Sequence, residues 1–186
     1  PVWGAVLHEA IDVAVILNAL RALTPGRSRV RRLDEEGSAL ARRFSAEHRS
    51  LRPELDHLRV TADALDSADP IGAIEQVKAA HRFLAEELLP HELAEDRALY
   101  PAVARALGGN DPTGAMSRGH IEIGHQIHRL GRLLDEVPPE GPDEEDLMEM
   151  RRLLYGLHAI LRLHFAQEDE GYLSLAEHDP VQPLRT

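Results

Sequence analysis

Two stretches of this chain carry a histidine followed four residues later by a glutamate: His91-Glu92-Leu93-Ala94-Glu95 and His164-Phe165-Ala166-Gln167-Glu168. On a helix such residues lie one turn apart on the same face, so each pair can grip one metal ion with a nitrogen and an oxygen. A single pair of this kind is more often a solvated surface pair than a set of ligands. The spacing around the two is more telling. His48 precedes His91 by 43 residues, and His120 precedes His164 by 44. The contexts match as well. Ser45-x-x-His48-x-x-Leu51-x-x-x-Leu55-x-x-Leu58 runs parallel to Ser117-x-x-His120-x-x-Ile123-x-x-x-Ile127-x-x-Leu130, and Glu95-Asp96 to Glu168-Asp169, with Tyr100 and Tyr172 beyond. The chain reads as two helical hairpins, each offering one His and then a His–Glu pair. His48, His91, Glu95, His120, His164 and Glu168 converging at mid-height of a bundle make six N/O donors. They can be divided between two metal ions, leaving open positions and a carboxylate to bridge. Imidazole with carboxylate suits iron, with zinc and manganese as alternatives.

The composition narrows the chemistry. With Cys 0, disulfide scaffolds, thiolate zinc sites and iron–sulfur clusters are excluded, while His 11 leaves nitrogen donors in surplus. A formal net charge of -11 argues against a nucleic-acid partner. Hydrophobic residues make up 43% and aromatics only 4%, so the core must be Leu, Ala, Val and Ile, a mixture that favours helices over sheets. The chain begins at Pro1, reads as a fragment or processed piece, and shows no signal peptide.

The elements that must position the donors follow from the breakers. Five helical segments are expected. The first covers about 4–23, is unusually apolar and ends at Pro25-Gly26; a basic linker with Arg27, Arg29, Arg31 and Arg32 follows. The second covers about 34–65, with an adjustment at Pro53. The third starts with Asp69 as N-cap and Pro70 in the first turn, bends at Pro90 and Pro101, and stops at Gly108-Gly109. The fourth repeats that start at Asp111-Pro112 and runs to about 137; the fifth starts near Asp143 with an acidic first turn and runs to about 177. Long helices with short connections predict an all-α, up-down-up-down four-helix bundle, with an additional N-terminal apolar helix. The domain division is 1–24 apolar helix, 25–33 basic linker and 34–178 metal-binding bundle.

At Glu47-His48, Leu89-Pro90-His91-Glu92-x-x-Glu95, Leu99-Tyr100-Pro101, Gly119-His120 and His164-x-x-x-Glu168 the chain resembles the hemerythrin-like (HHE cation-binding) domains over about residues 38–176. The resemblance implies a non-haem iron site, with two iron ions, on His48, His91, Glu95, His120, His164 and Glu168. Oxygen-carrying hemerythrins have a further His one turn after the fourth-helix ligand; here that position is Gly124. His125 lies about 140° around the helix from His120. It and Glu92, which adjoins His91, are additional metal candidates. His57, His81, His128, His158 and His178 are expected at the surface or at caps.

Residues 2–23 are long enough to span a membrane, though His8, Glu9, Asp12, Asn18 and Arg21 interrupt the run. The segment Pro1-x-x-Gly4-Ala5-x-x-His8-Glu9-x-x-Asp12-x-x-Val15-Ile16-Leu17-Asn18-Ala19-Leu20-Arg21 resembles the last transmembrane helix of heavy-metal-translocating P-type ATPases, which implies a transport site at His8, Glu9 and Asp12. With the basic linker on the inner side, the bundle would face the cytoplasm at the cell membrane. The expected function is then a cytoplasmic C-terminal iron-binding sensor or regulator attached to the remainder of a transporter polypeptide, itself lacking ATPase catalytic domains. The alternative is a stand-alone cytoplasmic protein that reacts with dioxygen, peroxide or nitric oxide. The partners implied are metal ions and dioxygen or another small diatomic ligand.

Overall fold

From Ala41 to Leu58 an apolar or site residue recurs every three or four positions, and this stripe becomes the inner face of α1 (Glu35–Ala64), where Ala41, Phe44, His48, Leu51, Leu55 and Leu58 are buried. Asp34 caps the helix, its carboxylate accepting from the Gly37 N–H at 2.8 Å. The helix stays α-helical through Pro53, which is exposed. The computed structural model describes residues 32–66, 70–108 and 111–176, all within one compact unit, Arg31–Thr186. The apolar segment with His8, Glu9 and Asp12, the linker arginines before Arg32, and Asp69 and His178 lie outside the described residues. Among the described residues no strand occurs, and no helix is long and apolar enough to cross a membrane.

The second rod is continuous but not uniform. It consists of α2 (Pro70–Phe83), a π-helical turn (Leu84–Leu88), α3 (Leu89–Ala94), a second π-helical turn (Glu95–Leu99) and α4 (Tyr100–Leu107). Each π turn ends two residues before a proline, Pro90 or Pro101. Proline lacks the N–H of an α-helical bond and its ring crowds the carbonyl four residues back; a wider turn relieves that conflict without breaking the rod. The bends expected at these prolines are therefore absorbed as two inserted π turns. Gly108, at φ 69, leaves the helical region as only glycine readily does and ends the rod.

The third rod corrects the sequence reading. α5 (Gly114–Glu136) is preceded by Thr113 at the N-cap position rather than by Asp111, which adopts φ 89. The Asp111 carboxylate folds over the first residue of the helix instead; a Cβ at Gly114 would stand 1.9 Å from Asp111 Oδ2. The fourth rod, α6 (Glu144–Gly171), starts as the acidic turn predicts. Asp143 Oδ1 accepts from the Asp146 N–H at 2.9 Å and Asp146 Oδ2 accepts from the Asp143 N–H at 3.1 Å. A short 3-10 turn (Leu173–Ala176) follows. Asp143→Ala removes this reciprocal cap and should cost about 1 kcal/mol, lowering the melting temperature in a thermal scan by about 2–4 °C.

The four rods cross two apolar layers in alternating order. One layer gathers Leu51, Leu55, Leu58 and Ala62 of α1 with Val77, Leu84, Leu88, Ile127, Met150, Leu157 and Phe165. The other holds Leu33, Phe44, Leu99, Val103, Tyr172 and Leu173. α1 runs from the second layer to the first, the second rod returns, α5 goes again to the first and α6 comes back. This is up-down-up-down order. Every rod passes from one layer to the other at a histidine: His48, His91, His120 and His164. A polar belt therefore lies between two greasy ones, shielded from water at both ends.

Candidate metal centre

The belt contains His48, His91, Glu92, Glu95, His120, His164 and Glu168, every one buried. Burying so many ionisable groups is costly unless they are mutually satisfied or hold an ion. They are not satisfied among themselves. His48 Nε2, His91 Nε2, both carboxylate oxygens of Glu92 and of Glu95, and Glu168 Oε2 have no hydrogen-bond partner. Yet they crowd together: His120 Nε2 lies 2.6 Å from Glu92 Oε2 and 2.8 Å from His164 Nε2. His164 Nε2 is 3.2 Å from Glu92 Oε2 and 3.3 Å from Glu168 Oε2. His120 Nε2 and His164 Nε2 share a hydrogen bond, but seven of the converging nitrogens and oxygens have none, and such a cluster is what a cation at its centre would satisfy.

The atoms sort into two groups. His48, His91 and Glu95 bring donors within 4.8 Å of one another, as do Glu92, Glu95, His120 and His164. Glu95 belongs to both: Oε1 lies 3.3 Å from His48 Nε2 and 3.5 Å from His91 Nε2, while Oε2 lies 3.7 Å from His120 Nε2. Glu168 also straddles them, with Oε2 3.5 Å from His48 Nε2 and Oε1 3.7 Å from His120 Nε2. The structure thus brings together all six residues expected from the sequence, and Glu92 with them. His125 is not brought in. Its side chain is 69% exposed beside Glu122, because one residue beyond the helical repeat turns it outward. Gly124 offers no side chain, and a Cβ there would meet Leu89 Cδ2 at 3.7 Å. Of the other histidines, His57 and His128 are exposed, while His81 and His158 are half-buried.

Behind the imidazoles stands a row of carboxylates that spacing alone did not assign. His48 Nδ1–H donates to Asp169 Oδ1 at 2.9 Å, His91 Nδ1–H to Glu47 Oε2 at 2.9 Å, and His120 Nδ1–H to Asp96 Oδ2 at 3.0 Å. These bonds keep a proton on Nδ1 and leave Nε2 as the inward-facing nitrogen, the one a metal ion would bind once any proton on it is released. The carboxylates are held in turn by Arg52, by Arg43 Nε at 2.7 Å and by Ser117 Oγ at 2.6 Å. Their one sequence signal was the repeated acidic residue after Glu95 and Glu168. Phe165 stacks on His48 with centroids 3.9 Å apart, and Tyr100 on His120 at 5.2 Å. The Tyr100 hydroxyl donates to Glu168 Oε1 and lies 3.0 Å from His120 Nε2. Its reach into the belt follows from the second π turn. The Tyr100 N–H bonds to the Glu95 carbonyl five residues back, which sets the tyrosine above Glu95 on the same face.

The electrostatics are those of a belt short of positive charge. Burial lifts Glu95 to about 8, and the charges of Glu168 and Glu92 add to it. Burial also opposes the charge on Glu92, but His120 and His164 outweigh it and hold the carboxyl down to about 2. Burial disfavours a charged His120, yet Glu168, Glu92 and Asp96 raise it to about 11. His48 is raised likewise, against its burial, by Glu95, Asp169 and Glu168. His91 is lowered by burial despite Glu47. Imidazolium protons therefore supply charge that a divalent cation supplies better, and such a cation would release them.

A family model described as the hemerythrin HHE cation binding domain matches residues 39–176. Two curated proteins are similar to the chain over 105 residues at 31% identity: the iron-sulfur cluster repair protein YtfE of Pectobacterium atrosepticum and that of Pectobacterium carotovorum subsp. carotovorum. The matched region is 53% of this chain and 46% of either relative, so the chain spans about half the length of the curated relatives it matches. No solved structure matches it.

Proposed function

Because the chain belongs to the hemerythrin HHE cation-binding family, we propose that its belt binds a pair of non-haem iron ions and reacts with dioxygen, peroxide or nitric oxide. The observation that carries this is the set of buried, unpartnered nitrogens and oxygens aimed at two neighbouring points. His48 and His91 would hold one ion and His120, His164 and Glu92 the other, with Glu95 and Glu168 close enough to both sets to contribute to either. Zinc and manganese are the competing occupants. Iron in this setting supplies open coordination positions and a one-electron redox change. The chain's own residues do the rest. Asp169, Glu47 and Asp96 orient three imidazoles. Tyr100 occupies Glu168 Oε1, so that Oε2 is the oxygen left to bind. The apolar layers on either side keep water away. Gly124, where oxygen carriers have a further His, favours reaction over reversible oxygen carriage.

Anaerobically loaded protein, desalted, should retain about two iron ions per chain. Its absorption should then change on adding peroxide, dioxygen or nitric oxide, and His91→Ala should lose both properties. A folded protein that retains no iron would overturn the proposal.

A second reading is favoured by the relatives. Both are named for iron–sulfur cluster repair, and a belt that yields iron would serve that task. Iron-loaded chain should then restore an enzyme with a damaged iron–sulfur cluster, and metal-free chain should not. The pump-regulator expectation rests on residues 1–24 alone. The family match begins after them and neither relative's name refers to transport, so it gains no support.

A further inference from the structure

Three of the four inward imidazoles are held from behind by a carboxylate, and the fourth is not. Among the described residues His164 makes its polar contacts through Nε2 alone, to His120, Glu92 and Glu168. The internal repeat shows where its anchor would stand. Asp169 follows Glu168 and holds His48; Asp96 follows Glu95 and holds His120. Glu47 precedes His48 and holds His91. The residue preceding His120 in the second hairpin is Gly119. A Cβ there would lie 3.4 Å from His164 Nδ1 and 3.6 Å from its Cε1, so position 119 faces that nitrogen as position 47 faces the one on His91.

No backbone requirement explains the glycine. It lies inside α5 without positive φ, where glycine costs about 1 kcal/mol relative to alanine. A side chain would meet the ring at ordinary contact distance. Gly119 is also partly exposed, while His164 is buried. Behind His164, then, a bare stretch of helix reaches the protein surface.

We infer that His164 is the labile ligand of the centre: the half built on His120, His164 and Glu92 exchanges its ion past Gly119, while the His48–His91 half retains its own. This rests on the metal-binding reading above. The physical basis is that a carboxylate on Nδ1–H fixes the ring and raises the basicity of Nε2, and losing such a partner costs about 10–100-fold in metal affinity. Both imidazoles of one half have that support, and only one of the two in the other half does.

The test is release of ferrous iron from the loaded full chain into excess chromogenic chelator, without oxygen. Wild type should release in two phases of similar size. Gly119→Glu supplies the missing carboxylate and should slow the fast phase about 10-fold or more, whereas Gly119→Ala should leave it nearly unchanged. Glu47→Gln keeps the shape but removes the charge behind His91, and should speed the slow phase; it carries the test even if Gly119→Glu does not fold. Equal slowing by Gly119→Ala and Gly119→Glu would overturn the inference, since packing alone would then be responsible. A chain that binds two ions and releases them in one phase indifferent to positions 47 and 119 would also overturn it, leaving the metal-binding reading intact. Failure to take up iron at all would overturn both.

Discussion

Stripped of its metal, the protein should melt on the order of 10 °C below the loaded form. A ligand present at about 1,000 times its dissociation constant stabilises the folded state by about 4 kcal/mol, and for a domain of this size each kcal/mol is worth roughly 2–4 °C. The belt gives the reason the folded state alone binds. In the unfolded chain the donors are scattered over four segments; in the fold they meet within a few ångströms, buried and unpartnered. Without an ion, Glu92, Glu95 and Glu168 face one another across a water-poor layer with imidazolium protons as their main compensation. Calorimetry before and after dialysis against a chelator, with add-back of iron, measures the difference. Identical melting in all three samples would mean that the belt is a plain polar layer.

The largest effect of a single substitution is expected at Glu95. Glu95→Ala should lower affinity for both ions by more than about 100-fold, beyond the loss seen when an outer hydrogen-bond partner is removed. Glu95 belongs to both donor groups, with one oxygen toward His48 and His91 and the other toward His120, whereas Glu168, which also lies near both, has Oε1 engaged by the Tyr100 hydroxyl. Glu92 belongs to one group only, so Glu92→Ala should leave about one ion per chain under the same desalting conditions. Metal analysis of the two variants side by side decides the point. Equal residual iron in both would show that Glu95 is not shared. Glu95→Gln keeps the volume of the side chain, and its failure to bind would assign the loss to the carboxylate rather than to a cavity.

Much of this centre is legible in the sequence. Two His–Glu pairs at helical spacing, each with an upstream His at matched distance, were enough to assemble the six donors. The helix ends were legible where capping chemistry is local, as at Asp34 and Asp143. Residue type and spacing mislead where backbone conformation or helical phase decides a side chain's place. Asp111 looked like a cap before a proline, but its backbone turns to positive φ and its carboxylate lies over Gly114, delaying the helix start to Thr113. His125 looked close enough to be a candidate, and helical rotation carries it to the surface.

By itself the sequence determined which groups can bind, that they come in two matched sets, and that four helices of alternating direction carry them. Periodicity, capping and breakers act over a few residues, so they can be read along the chain. Only the tertiary structure decided that Glu92 joins the belt, that Glu95 divides its oxygens between the two sets, and that Asp169, Glu47 and Asp96 stand behind three of the imidazoles. It also decided that a π turn lifts Tyr100 into the belt and that Gly119 leaves His164 without a fourth anchor. These depend on the register of one rod against another and on a single inserted residue in a helix. Contacts across tens of residues carry that information, and no spacing within one segment encodes it.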